Sequence, residues 1–262
     1  MLGGANHAGS DVRRPGGSAW SGSGCAWTVV AWVLLPVSPW GALALFGGLV
    51  GFGIAVRAGR VLQLALVGLV VAGPSLVGPP MPWVVWLLPA LGLAAAMGRF
   101  VTWADNDYWR RGVLRPSDLG LALLFTAVAG GALVGWFSLT SPDLGDLEVM
   151  IPGAPLPALV GVAVLFAVAN ALAEEVLYRG ILFDALLHQG RLGVTGAVIV
   201  QAAVFGMDHL HGFPRGAVGV GLATVYGLMM GVVRARSGGL LAPWLSHVLV
   251  DLVVFAVVAF LV

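Results

Sequence analysis

Lysine is absent from this chain and charge of either sign is scarce: 13 basic residues, all arginine, and 12 acidic residues among 262, for a net charge of +1. With 10% charged against 59% hydrophobic residues and a mean hydropathy of +0.98, the composition excludes an ordinary soluble domain, in which about a quarter of residues are charged. The arginines stand singly or in pairs rather than in a stripe, so no nucleic-acid surface is expected. Cys25 is the single cysteine, which rules out an intrachain disulfide, a cysteine-based metal site and dithiol redox chemistry. There is no repeat of solenoid period, and the loop at 140–155 is too short to form a domain outside the membrane.

What the sequence does have is long apolar runs. A helix needs about 20 apolar residues to cross the hydrocarbon core, and the long apolar runs fall at 40–56, 61–78, 81–98, 117–139, 156–180, 193–210, 216–233 and 240–261. They predict an all-α fold, a polytopic transmembrane helix bundle of about eight spans, in a multi-pass protein of the cell membrane. The fifth run can continue as a helix to residue 187. Residues 1–25, rich in Gly and Ser, read as a flexible tail, 26–139 as N-terminal transmembrane helices, and 156–262 as a core that carries most of the unusual polar residues. Pro36 and Pro39 interrupt the start of the first run, so 26–39 either joins it or forms an extra span or re-entrant piece. Arg13 and Arg14 are not followed by a short apolar core with a small-residue cleavage site, and Cys25 has no such core before it, so neither a signal peptide nor a lipoprotein is expected. Arg57, Arg60, Arg99, Arg110, Arg111, Arg115, Arg191, Arg234 and Arg236 fall in alternate loops, with Asp143, Asp146 and Glu148 on the other side. The positive-inside rule then puts both termini outside, with Arg13, Arg14 and Arg215 as exceptions.

Glutamate is rarer still. Of three in the chain, Glu174 and Glu175 are adjacent inside an apolar run, where ionisable groups are costly and mark function. At about 100° per residue, Glu175 and Arg179 share a helix face, while Glu174 points away from Arg179 and lies with Asn170 and Tyr178. Glu174 is left without a local cation, a setting that suits proton transfer. Two later runs each bring a histidine: His209, four residues after Phe205, and His247, four residues before Asp251. Facing inward together, these groups form a water-holding pocket within the bilayer. By depth, Glu174 and His247 lie in the cytoplasmic half and His209 toward the outer half, so the reading requires the 189–192 connection to sink into the membrane or the sixth helix to shift.

Glu-Glu-x-x-x-Arg at Glu174, Glu175 and Arg179, Phe-x-x-x-His at Phe205 and His209, and His-x-x-x-Asp at His247 and Asp251 occur in this order. In these three motifs the chain, from 156 to its end, resembles the CPBP intramembrane proteases, also called type II CAAX prenyl endopeptidases or Abi proteins. The resemblance implies a glutamate-dependent endopeptidase with no required cofactor, its substrate a membrane-embedded or lipidated peptide. It implies that Glu174 and His209 activate a water, that His247 and residue 251 stabilise the oxyanion, and that Glu175 with Arg179 is a supporting ion pair. Asp251 is the departure, since family members with a well-defined oxyanion role carry Asn there. An ionised Asp would repel an oxyanion, so Asp251 is either a neutral donor or an orienting partner of His247.

Other readings stay open at the level of sequence. Glu175 and Arg179 are equally well explained as a buried pair that holds helices together. Glu174, His209, His247 and Asp251 are residue types that bind Zn²⁺, although no His-Glu-x-x-His pair is present. A non-catalytic scaffold or immunity protein would use the same charges structurally. A transporter is disfavoured because no inverted repeat of broken helices is found. Asp208, His211 and His188 are expected at interfaces, and Gln201 is expected to bond a neighbouring helix.

Overall fold

The computed structural model describes residues 19–77, 84–104, 106–142, 153–188 and 192–260. Among them the fold is all-α, with nine helices: α1 Ala19–Leu34, α2 Pro39–Ala55, α3 Gly59–Val77, α4 Val84–Phe100, α5 Pro116–Thr140, α6 Leu156–His188, α7 Val194–Asp208, α8 Gly216–Ser237 and α9 Leu241–Phe260. Four of these, α5, α6, α8 and α9, are long and apolar enough to cross a membrane, and the others are shorter apolar helices. Such a set belongs to a multi-pass membrane protein.

Local chemistry sets the helix ends. Proline occupies the first turn of α2, α5 and α6, where its missing N–H costs nothing. Gly238, in the left-handed conformation at φ 70°, ends α8. One boundary differs from the sequence reading. α1 starts at Ala19, inside the segment expected to be a tail, and is a helix in addition to the eight expected runs. Gly24 is used for close packing, since a Cβ there would collide with the ring of Phe52 on α2. The residues before 19, the acidic loop of Asp143, Asp146 and Glu148, and residues 189–191 of the connection expected to sink all lie outside the described residues.

Helices α1 to α4 pack in sequence order, and α5, α8 and α9 form a second group with α6 and α7. The two groups meet chiefly where α3 and α4 touch α6, and α1 touches α7. Arg60 on α3 donates to Asp184 on α6 at 2.8 Å, and both side chains are buried. The Arg60 guanidinium also lies 4.7 Å over the Tyr108 ring. A backbone strap adds to this join: Val113 N–H donates to Ser237 O, and Leu240 and Leu241 N–H donate to Arg110 and Arg111 O, at 2.8 to 3.1 Å. Gly112, at φ 77°, lies so close to Ser237 and Gly239 that no side chain fits there. The loop before α5 is thereby tied to the turn that starts α9.

Candidate active site

Helix α6 changes register at the two glutamates. It is α-helical through Glu174, then π-helical over Glu175–Leu182, and every residue of that segment is buried. The wider turn is a common mark of functional sites. Alanines at 163, 167, 171 and 173 are buried on the preceding turns, so neighbouring helices approach closely.

Glu175 Oε1 lies 3.0 Å from Arg179 Nη1, and neither side chain is exposed. The same oxygen accepts from His247 Nδ1 at 2.8 Å. The other nitrogen of that ring, Nε2, stands 3.4 Å from Glu174 Oε2 and 3.6 Å from Asp251 Oδ1. His247 on α9 is therefore enclosed by three carboxyl groups from two helices. Helical counting placed Glu174 and Glu175 on separate faces with separate partners, yet α9 crosses the register change and its imidazole reaches both. Asn170, one turn before Glu174, donates through Nδ2 to Glu174 Oε1 at 3.0 Å and to Asp251 Oδ2 at 3.1 Å.

Phe205 on α7 forms the floor. Its ring lies beneath the Arg179 guanidinium, 4.3 Å from the centroid, and against the rings of Tyr178, His209 and His247 at 5.1, 4.6 and 6.0 Å. His209 joins the site through this ring. Its Nδ1 is 2.9 Å from the Phe205 carbonyl oxygen, which can only accept. Nδ1 therefore carries the hydrogen, and Nε2 of the neutral ring keeps its lone pair. Tyr226 on α8 packs its ring 5.3 Å from His247 on another side. The whole sequence-derived set, Glu174, Glu175, Arg179, His209, His247 and Asp251, thus lies around Phe205 and His247.

Helical counting put Asn170 and Tyr178 on the Glu174 face, but the partners they find on other helices were not foreseen. Asp208, expected at an interface, is half-buried and accepts a hydrogen bond from the Tyr178 hydroxyl. Tyr226 was missed, and its only signal was an aromatic residue in a helix otherwise aliphatic or glycine-rich. Gln201 does bond a neighbouring helix, donating to Gly227 O at 2.8 Å. His188 stays beside Asp184, and His211 faces the Pro36 carbonyl at 2.9 Å, tying the turn after α7 to the α1–α2 connection.

Residues 156–253, which hold all of these groups, match the family model for Rce1-like type II CAAX prenyl endopeptidases. Residues 156–253 are an Rce1-like domain. The family is one of hydrolases that act on peptide or protein substrates. No curated protein and no solved structure matches the chain. The Rce1-like domain comprises α6, α7, α8 and most of α9. Its buried network of Glu174, Glu175 and His247 is consistent with a catalytic site of that family. Among the described residues, no group of three or more His, Cys, Asp or Glu is arranged to hold a metal ion. The donors face one another instead: both His247 nitrogens point to carboxyl oxygens, and His209 Nδ1 to a carbonyl.

Proposed function

We propose that this protein is a glutamate-dependent intramembrane endopeptidase of the cell membrane, a bundle of about eight spans, hydrolysing a peptide bond in a membrane-associated or lipidated, CAAX-like substrate. The observation that carries the reading is Glu174 Oε2. It is buried against His247 and accepts no hydrogen bond from any described residue, while the other carboxyl oxygen is held by Asn170. A buried acceptor held in place but unpaired is costly, and it is the atom a base presents to water.

In this reading a water placed between Glu174 and the Nε2 lone pair of His209 attacks the scissile carbonyl carbon and passes one proton to Glu174. The carbonyl oxygen becomes an oxyanion, stabilised by the His247 N–H group. Asp251 accepts from Asn170 through Oδ2, which leaves Oδ1 as the oxygen that would carry a proton beside His247. The C–N bond then breaks, and the departing nitrogen takes the proton from Glu174. Glu175 holds His247 by Nδ1, as carboxylates orient imidazoles elsewhere, and Arg179 holds Glu175.

The test uses the purified protein in lipid nanodiscs and an internally quenched, farnesylated CAAX peptide. Glu174→Gln keeps the shape and removes the base, so cleavage is expected to fall by about 10²- to 10⁴-fold. Cleavage at the parental rate would overturn the assignment.

A further inference from the structure

We propose that Asn170 is a positioning residue for the reaction, joining Glu174 and Asp251 through the two hydrogens of one side-chain amide. The inference rests on the reading of Glu174 as the base and adds a residue to that site.

Glu174 and Asp251 come from different helices, 81 residues apart from Asn170 in the case of Asp251, and Asn170 Nδ2 is within 3.1 Å of both. Two carboxyl groups brought to one place in a low-dielectric interior repel when ionised. A shared donor between them gives each an oxygen-directed hydrogen bond and fixes their separation. The orientation of the amide follows from the same chemistry. Turning it over would set its carbonyl oxygen against two carboxyl groups, so the nitrogen end must face them. The consequence is visible at the other end, where Asn170 Oδ1 is buried and accepts no hydrogen bond from any described residue. The fold tolerates that unpaired carbonyl for the sake of the nitrogen.

The bridge also accounts for how Glu174 is aimed. Asn170 lies one helical turn before it on α6 and takes Oε1, so Oε2 is the oxygen turned toward His247. Without the amide, both oxygens are free to rotate and the base loses its direction. Asp251 loses its tether to α6 in the same step.

The test is a double-substitution cycle with the farnesylated peptide probe. Asn170→Ala is expected to lower kcat about tenfold to a hundredfold with KM nearly constant, the signature of misplaced groups rather than lost binding. In an Asp251→Asn background Glu174 is the one carboxyl group left for the Asn170 amide to hold, so the bridge between two carboxyl groups is gone. There the effect of Asn170→Ala should be at least about fivefold smaller. The void left by the missing side chain is the same in both backgrounds, so a packing role would give losses that simply multiply, and that result overturns the bridge. Glu174→Gln run alongside separates the two claims. If it cleaves like the parent, the glutamate reading has failed. If it is inactive while the Asn170 and Asp251 losses multiply, only the bridge has failed. A substrate-free readout covers a peptide that is not cleaved or a variant that folds poorly. With ¹³C-carboxyl Asp and Glu in nanodiscs, Asn170→Ala and the near-isosteric Asn170→Asp should each move infrared carboxyl bands that Glu174→Gln also removes. Unmoved bands in folded Asn170→Asp protein would overturn the proposal.

Discussion

Adjacent glutamates with different partners should fail in opposite ways. Glu175→Gln keeps an oxygen where His247 Nδ1 and Arg179 Nη1 converge, at 2.8 and 3.0 Å, but removes the charge that balances a guanidinium with no exposed surface. Breaking a buried pair by neutralising one partner costs about 3–5 kcal/mol, because the remaining charge stays in the interior. Stacking of Arg179 on Phe205 at 4.3 Å offsets part of this, about 2 kcal/mol for a desolvated pair. A net loss of roughly 1–3 kcal/mol remains. Glu174→Gln has a different outcome. Its Oε1 still accepts from Asn170, and an amide is cheaper to bury than a carboxylate, so stability should stay within about 1 kcal/mol of the parent while cleavage collapses. Thermal unfolding midpoints in one detergent, with peptide cleavage measured on the same preparations, separate the two. The reasoning is refuted if Glu175→Gln unfolds with the parent, or if Glu174→Gln destabilises as much as Glu175→Gln does.

Two further outcomes follow from the geometry. Asp184→Ala removes the carboxylate that accepts from Arg60 at 2.8 Å, a charge-assisted hydrogen bond between buried groups, and should cost about 1.5–3 kcal/mol. Unfolding midpoints of the parent and the variant check it. Prolonged treatment with a chelator should leave peptide cleavage unchanged. Loss of activity that returns with stoichiometric Zn²⁺ would replace the glutamate reading by a metal-dependent one.

The site was more legible in the sequence than the fold that holds it. Charged and imidazole residues inside apolar runs are conspicuous because of their cost, and their four-residue spacings place them on helix faces, so Glu175 with Arg179 and His247 with Asp251 could be paired by counting. What counting could not supply was contact between helices. It kept Glu174 apart from Glu175, since a uniform turn per residue does not anticipate the π-helical segment beginning at Glu175 or a ring on α9 wide enough to reach both. Arg60 read as a loop arginine on the cytoplasmic side, yet it is buried against Asp184 and Tyr108. Its partner lies 124 residues away, beyond any local periodicity. Likewise the first turns of α1, residues 19–25, were hidden in a Gly- and Ser-rich segment, which reads as flexible until Phe52 is set against Gly24.

The strap at 110–113 bears on what could be cut from this chain and still work. Its hydrogen bonds run from main chain to main chain, so side chains there are free to vary while the connection persists, apart from the glycines at the crossing. Similarity begins at residue 156, but a fragment starting there would carry Asp184 without Arg60 and a leading turn of α9 without the strand of backbone that anchors it. It would also expose the faces of α6 and α9 that α4 and α5 cover. The limit of recognisable similarity is therefore not a limit of autonomous folding, and the helices ahead of it form the frame against which Glu174, Glu175 and His247 are aligned.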